Sequence, residues 1–235
     1  VVAVDGTYDD VNRLCAEVAD RRGWGFVNIN LRPYYAEGSK TLGFEIAEQL
    51  DWSLPDHVVA PIASGAMYLK IHKAFEELRE YGLVEGTAPR MSGAQATGCS
   101  PVATAFERGV TDVEPQRPDT IARSLAIGNP ADGHYALEIA AETGGVIGHV
   151  GDDEIVAGMR LLAETEGIFA ETAGGVTVAN LARFAAAGHV DRDERVVAVI
   201  SGNGYKTLDA LGPVAPDLLV SPALDDLEEK LAADR

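Results

Sequence analysis

Two short segments of the sequence end an apolar run in small and hydroxyl-bearing residues. The run Val58–Ile62 leads into Ala63-Ser64-Gly65-Ala66-Met67, and the run Val196–Ile200 leads into Ser201-Gly202-Asn203-Gly204. Small side chains let backbone N–H groups approach an anion, and a following helix adds the positive end of its dipole. Buried parallel strands present ligand sites at their carboxyl ends in this way. The two segments therefore predict a site for a phosphate-bearing ligand.

Two observations limit which phosphate-bearing ligand the site could take: the absence of known nucleotide-binding motifs from both segments, and the hydroxyl of Ser201. Neither segment has the G-x-G-x-x-G spacing of dinucleotide sites or the Gly-Lys-Ser/Thr ending of a P-loop. A single phosphate held by backbone amides remains compatible with Ala63–Met67, as does a tight turn that only packs. Ser201 offers a neutral hydroxyl that could pair with a heteroaromatic nitrogen, although its glycine neighbours also suit an ordinary turn.

The elements that must position these segments alternate between strand-like and helical patterns. This alternation predicts an α/β fold built on a parallel sheet. The predicted strands are Val1–Val4, Gly25–Ile29, His57–Ile62, Arg90–Ala96, Val146–Val150, Ile168–Glu171 and Arg195–Ile200. The predicted helices are Asp9–Arg22, Lys40–Leu50, Gly65–Tyr81, a helix ending at Arg108, His134–Thr143, Asp152–Thr165 with Asp152 as N-cap, Ala173–Ala187 and a helical or frayed tail from Asp225. A long loop is predicted over Val110–Pro130.

The charge balance excludes several classes of partner. The formal net charge is −18, and the lysines are confined to Lys40, Lys70, Lys73, Lys206 and Lys230. Such a surface repels nucleic acids and anionic membranes. Its self-repulsion destabilises a fold unless salt screens it, so we expect a halophilic origin.

Metal and membrane sites are not predicted. Cys15 and Cys99 show no metal or redox spacing, and the five histidines are scattered, so no metal site is expected. No apolar run in the sequence reaches membrane-spanning length, and the sequence contains no basic-then-apolar leader. The sequence indicates a soluble, cytoplasmic protein. Since it opens inside a strand-like run, we expect it to be part of a longer chain.

Five segments in order resemble the fold-type-II pyridoxal-phosphate-dependent enzymes, and among them most of all the threonine synthases. The segments are VVAVDGTYDD (1–10), NLRPYYAEGSKTLGFE (30–45), 58–67, TIARSLAIGNP (120–130), and GIFAETA (167–173) with VAVISGNGYK (197–206). The resemblance implies an open, twisted, mostly parallel sheet flanked by helices. It also implies that residues 1–35 are the end of a small domain and that residues 36–235 are the large, cofactor-binding domain.

The resemblance implies pyridoxal 5′-phosphate as cofactor and assigns it two contacts. The phosphate would be held by Ala63, Ser64, Gly65, Ala66 and Met67. At Ala63, Ser64 and Met67 the family usually has Gly and Asn. Ser201 would face the pyridine nitrogen, a position usually Thr in threonine synthases and often Ser in related dehydratases and sulfhydrylases. A neutral partner leaves the ring a weaker electron sink, which suits β- and γ-replacement. Glu171 is expected near the cofactor's edge.

The lysine that bonds the cofactor is expected upstream of Val1. Gly38-Ser39-Lys40-Thr41 superficially resembles the family's Ser-x-Lys segment, but the resemblance places Lys40 at the domain junction instead. No catalytic residue is therefore assigned within this sequence, and the chain alone is expected to be inactive.

The resemblance also implies that Asn30, Arg32 and Tyr35 hold the substrate's phosphate, with amide, guanidinium and phenol donors. The residues themselves equally suit a surface arginine and packing tyrosines. The implied reaction converts O-phosphohomoserine and water to threonine and phosphate. Relatives of the cysteate synthase or threonine dehydratase type remain alternatives, as does a non-catalytic α/β module that binds a phosphorylated metabolite. Homo-oligomer formation is left open.

Overall fold

The computed structural model describes residues 1–27, 32–212 and 218–233. Its sheet consists of four parallel strands: β1 (His57–Pro61), β2 (Arg90–Ala96), β3 (Ile147–Val150) and β4 (Val196–Ala198). Their order is β3-β2-β1-β4. Val58 pairs with Met91 on one side and with Val197 on the other, so β1 lies in the interior of the sheet. The parallel α/β fold predicted from the sequence is confirmed.

Helices cover both faces of the sheet. The helices of the described residues are α1 (Tyr8–Arg22), α2 (Arg32–Gly38), α3 (Thr41–Gln49), α4 (Ala66–Glu80), α5 (Pro101–Arg108), α6 (Gly133–Thr143), α7 (Asp152–Glu166), α8 (Thr172–Ala186) and α9 (Leu224–Ala233). Of these, α4, α5 and α6 pack on one face of the sheet, and α7 and α8 pack on the other. Short 3-10 helices run over Arg123–Leu125 and Gly204–Leu211.

Alternation along the central strand divides the core into two layers. Val58 and Ala60 belong to the cluster formed with α4, α5 and α6, whereas Val59 belongs to the cluster formed with α7 and α8. Successive side chains of a strand point to opposite faces, so an apolar run without polar interruption is buried on both sides. All five residues of β1 are buried.

Two contacts fix the helices that carry the candidate site. The Tyr68 hydroxyl donates to the Met91 carbonyl oxygen at 2.7 Å and so ties the first turn of α4 to β2. Burial of Tyr68 raises the pKa of its phenol. Gly158 of α7 and Gly175 of α8 pack so closely that a Cβ on Gly158 would lie 2.4 Å from the Gly175 carbonyl oxygen.

Several predicted elements are wrong at their ends or absent. Val1–Val4 is exposed and not paired as a strand, and Gly25–Val27 is not a strand, while Asn28 and Ile29 lie outside the described residues. Ile168–Glu171 contributes a single bridge, Ala170 to Asn203, because the two segments run together too briefly for a ladder.

Helix α7 begins differently from the prediction. Its N-cap is Gly151, whose N–H donates to the Glu154 carboxylate at 2.9 Å. Asp152 is the first helical residue, and its carboxylate accepts a hydrogen bond from the Thr120 hydroxyl at 2.8 Å.

Within the three described ranges, no helix combines the length and the apolar character that crossing a membrane requires. The domain boundary after residue 35 stays a prediction.

Candidate functional site

A cavity of about 160 Å³ opens where the chain leaves β1 and β4. The chain moves from β1 to β2 and β3 in one direction and then returns to the other side of β1 for β4. In open α/β sheets, ligands bind at such a switch point, beyond the carboxyl ends of the strands. The cavity is lined by Pro61, Ala63, Ser64, Gly65, Ala66, Met67, Ser124, Leu125, Glu171, Ala173 and Ser201.

One side of the cavity is the loop that enters α4. Gly65, the N-cap, has φ +100°, a conformation that residues with a Cβ rarely adopt, and no side chain caps the helix. In the described part of the chain, the N–H groups of Gly65 and Met67 meet no protein acceptor. These N–H groups, with the helix dipole behind them, can receive an anion.

The same loop is braced by Asp132. The Asp132 N–H donates to the Ser64 carbonyl oxygen at 2.9 Å. A Cβ on Gly65 would lie 2.9 Å from the Asp132 Cβ, so only glycine fits this approach.

The other side of the cavity is the turn after β4. Ser201 is half-buried, and within the described residues its hydroxyl has no hydrogen-bond partner. Gly202 follows with φ +75°, and its carbonyl oxygen accepts a hydrogen bond from the Glu171 N–H at 3.3 Å. Ser201 therefore presents a neutral donor and acceptor to the cavity.

A residue with a buried carboxylate, Glu171, lines the same cavity. The Glu171 side chain is 5% exposed, and its Oε2 lies 2.8 Å from the Nζ of Lys206. Glu171 is also the N-cap residue of α8, but its side chain does not cap that helix. Its carboxylate instead packs against Gly202, where a Cβ would come within 2.2 Å of Oε1.

The structure brings all six predicted cofactor-contacting residues, Ala63–Met67 and Ser201, to one cavity. Glu171 also lines it. Sequence reasoning missed Ser124 and Leu125, which come from the 3-10 turn inside the predicted long loop. The sequence pointed to Ser124 and Leu125 only through their place in the segment 120–130, which is one of the five that carry the family resemblance.

The side chains of the three predicted substrate-contacting residues are outside the described part of the structure. Asn30 is outside the described residues. Arg32 and Tyr35 belong to α2, but their side chains are outside the described part of the chain. Their role stays a prediction.

None of the five lysines, all of which are described, lines the cavity. Lys40 precedes α3, and its Nζ lies 2.8 Å from a carboxylate oxygen of Glu77. Lys40 also pairs with Glu37, and hydrogen bonds to Glu37 and Glu77 raise the pKa of Lys40. The hydrogen bond from Lys40, with a second from Lys73, lowers the pKa of Glu37 to about 2. In the described ranges, no group of three or more His, Cys, Asp or Glu residues could hold a metal ion.

A larger open groove elsewhere is a poorer candidate for an anion. Its volume is about 770 Å³, and it lies between residues 5–10 and 115–118. Asp5, Asp9 and Asp10 line it against one guanidinium, that of Arg117. Carboxylates at this density repel a phosphate group.

The small cavity fits the two polar ends of pyridoxal phosphate. Gly65 and Met67 offer backbone donors to a phosphate, and Ser201 offers an unpaired hydroxyl to a ring nitrogen. Ala63, Leu125 and Ala173 add apolar atoms to the lining of the same cavity.

Comparison with known proteins identifies the family. Residues 1–202 match the family described as pyridoxal-phosphate dependent enzyme. The threonine synthase of Methanocaldococcus jannaschii is 37% identical over 211 residues, which are 89% of this chain and 52% of that protein. The threonine synthase of Bacillus sp. strain ULM1 is 34% identical over 230 residues, which are 97% of this chain and 62% of that protein. The chain thus spans about half to three fifths of these curated relatives.

Solved structures share the fold at lower identity. Processed threonine deaminase isoform 2 from Solanum lycopersicum superposes with a TM-score of 0.67 at 20% identity, over 91% of this chain and 60% of that one. Maize serine racemase gives 0.62 at 17% identity, over 100% and 64%. The family cofactor is pyridoxal 5′-phosphate, as the sequence predicted. The chain belongs to the pyridoxal-phosphate-dependent enzyme family.

Proposed function

We propose that the chain is the cofactor-binding part of a lyase of the threonine synthase type. The intact protein would convert O-phosphohomoserine and water to threonine and phosphate. The observation that carries the proposal is the convergence of Ala63–Met67 and Ser201 on one cavity at the switch point of the sheet. The similarity to threonine synthases supports this substrate class.

The chain's own residues would divide the work of holding the cofactor. The N–H groups of Gly65 and Met67, at the start of α4, bind its phosphate, and the Ser201 hydroxyl bonds its ring nitrogen without adding charge. Leu125 and Ala173 exclude water from the ring edge. When bound, pyridoxal phosphate supplies an electron sink for the substrate's α carbon. A neutral ring partner weakens that sink and suits elimination and replacement at the β and γ carbons.

We further propose that the lysine bonded to the cofactor lies outside these 235 residues. Lys40, Lys70 and Lys73 are engaged with Glu37, away from the cavity lining. Borohydride reduction of the longer protein, followed by peptide mass spectrometry, should label one lysine that precedes Val1. A label on Lys40 would overturn this assignment.

The first test measures cofactor binding by the chain itself. Pyridoxine 5′-phosphate keeps the ring and phosphate but lacks the aldehyde, so it reports non-covalent binding alone. We expect fluorescence titration to show saturable binding that Ser201→Ala weakens several-fold. An unchanged affinity and spectrum in that variant would remove Ser201 from the site.

The second test separates the substrate classes. The longer protein, loaded with cofactor, is assayed with O-phosphohomoserine, with O-phosphoserine plus sulfite, and with threonine. Phosphate release with threonine formation supports the proposal. Turnover of O-phosphoserine with sulfite alone would assign the protein to the cysteate synthase type. Turnover of threonine alone would assign it to the threonine dehydratase type.

The acidic surface leads to a separate proposal about working conditions. We propose that the net charge of −18 makes folding depend on concentrated salt. The screening length shrinks from about 10 Å at 0.1 M to about 3 Å at 1 M salt, which removes most self-repulsion. The melting temperature should therefore rise between low and molar KCl, and a flat or falling series would contradict the proposal.

A further inference from the structure

The pair formed by Glu171 and Lys206 has no part in the binding scheme described above. Glu171 Oε2 lies 2.8 Å from Lys206 Nζ. The two ends differ sharply in exposure, since the Glu171 side chain is 5% exposed and the Lys206 side chain is 61% exposed. The Glu171 carboxylate therefore belongs to a buried residue of the cavity lining, whereas the Lys206 ammonium belongs to a residue exposed at the protein surface.

Glu171 and Ser201 would act oppositely on a heteroaromatic ring in the same cavity, which both of them line. An unpaired carboxylate favours a protonated ring nitrogen, because the two opposite charges attract strongly in a partly desolvated site. A serine hydroxyl favours the neutral nitrogen. The observed pairing with Lys206 neutralises the carboxylate.

The backbone around the pair holds this arrangement in place. The Lys206 N–H donates to the Asn203 carbonyl oxygen at 3.0 Å, within the turn that follows Ser201. The Glu171 N–H donates to the Gly202 carbonyl oxygen at 3.3 Å, and the Glu171 carboxylate lies where a Gly202 Cβ would be. The pair thus spans the two segments that form this wall of the cavity.

We propose that Lys206 is a positioning residue that neutralises Glu171 and holds it against Gly202, so that Ser201 alone sets the protonation state of the bound cofactor's ring nitrogen. This inference rests on the proposed cofactor site. It adds a residue, Lys206, that does not itself line the cavity.

The experiment follows ring protonation of bound pyridoxine 5′-phosphate by absorbance as a function of pH, using the longer protein freed of its cofactor. In Lys206→Gln, the unpaired Glu171 should favour the protonated ring, and the protonation equilibrium should shift about tenfold, or one pKa unit. Lys206→Arg should restore the wild-type profile, because the guanidinium keeps the charge.

A double variant separates neutralisation from simple scaffolding. In Lys206→Gln with Glu171→Gln, neither charge remains, so the ring should titrate as in wild type. This variant also decides the case in which Lys206→Gln alone loses binding: restored binding in the double variant supports the inference, and continued loss overturns it. Lys230→Gln is the matched control, because Lys230 pairs with Asp226 at 3.0 Å on α9.

The outcomes distinguish this inference from the proposed function. A wild-type chain that does not bind the analogue would contradict the cofactor site, and the inference would fail with it. Binding with the same ring titration in wild type and Lys206→Gln would overturn only the role of Lys206.

Discussion

The two ends of the central strands carry polar residues in opposite conditions. At the carboxyl end, and among the described residues, the Ser201 hydroxyl and the N–H groups of Gly65 and Met67 lack protein partners at the edge of a cavity. At the amino end, His57 and Ser92 are buried, with 2.7 Å between the His57 Nε2 and the Ser92 hydroxyl oxygen. The Ser92 hydroxyl also accepts a hydrogen bond from the Val146 N–H at 3.0 Å, and Arg90 pairs with Glu194.

This difference separates binding from architecture. A histidine, a serine and a carboxylate close together would suggest nucleophilic chemistry if only the residue types were considered. Here Ser92 is fully buried and its hydroxyl is already bonded, so this cluster joins β1, β2 and the start of β4. Unsatisfied polar groups beside a cavity are the better indicator of a ligand site.

The largest effect should come from Gly65→Ala. The new Cβ would meet Asp132 within 3.0 Å at a φ of +100°, so the loop Ala63–Met67 must move. We expect pyridoxine 5′-phosphate to bind at least tenfold more weakly in a fluorescence titration.

Gly82→Ala is the matched control, since Gly82 has φ +67° but no atom within 4 Å of the new Cβ. It should cost roughly 1–2 kcal/mol of stability without changing binding. Equal loss of binding in both variants would contradict a specific role for the loop.

Ser92→Ala should affect stability and leave the cavity intact. The substitution removes the hydrogen-bond partner of the His57 Nε2 and of the Val146 N–H. An unsatisfied buried polar group costs about 1–3 kcal/mol. We expect the free energy of unfolding in urea to fall by about 2 kcal/mol. The exposed Ser221→Ala should change it by less than about 0.5 kcal/mol. Weaker binding of the analogue by folded Ser92→Ala would break the separation between the two ends.

The amino-terminal cluster should also make stability depend on pH. Burial lowers the pKa of His57, and Arg90 lowers it further while Glu194 opposes the shift. The unfolded imidazole, with a pKa of about 6.5, therefore takes up protons before the folded one. The contribution of His57 to stability should be fully present well above pH 6.5 and should be lost progressively as the pH falls through about 6.5.

Urea unfolding at pH 8, 6 and 5 measures this slope. His57→Gln, whose side chain can still form a hydrogen bond with Ser92, should make the dependence of stability on pH shallower. Part of the slope should survive in His57→Gln, because burial also lowers the pKa of His72.

The smallest effect is expected at the exposed ion pair of the carboxyl end. Arg123 and Asp209 lie 3.1 Å apart, with side chains 78% and 64% exposed. Solvent and salt screen such pairs, so Arg123→Ala should change the free energy of unfolding by less than about 0.5 kcal/mol. Arg90→Ala, which leaves the mostly buried Glu194 unpaired, should cost more in the same urea measurement.

The strands that deliver the site could be predicted because their information is local. Val58–Ile62 and Val196–Ile200 are apolar runs that end in small residues, and their outcome depends little on distant contacts. Structure shortens the second run to Val196–Ala198, since strand ends depend on the neighbour that pairs with them.

The errors arise where a distant residue decides the local structure. Val1–Val4 has a strand's composition, but an apolar run becomes a strand only beside a partner. Asp152 resembles an N-cap, yet its carboxylate bonds Thr120, 32 positions away. Ser124 reaches the cavity through a 3-10 turn that no apolar periodicity marks.

The sheet order also has a consequence for how this molecule folds. The Arg195 N–H donates to the Asp56 carboxylate across 139 positions, so the last strand closes the longest loop in the sheet. Contacts with such sequence separation form slowly, because the chain loses its loop entropy before they stabilise it. The loop Ala63–Met67 can form early, but the cavity is complete only after β4 docks, because Ser201 follows β4. Ligand binding during refolding would therefore report the final docking step, not the initial collapse.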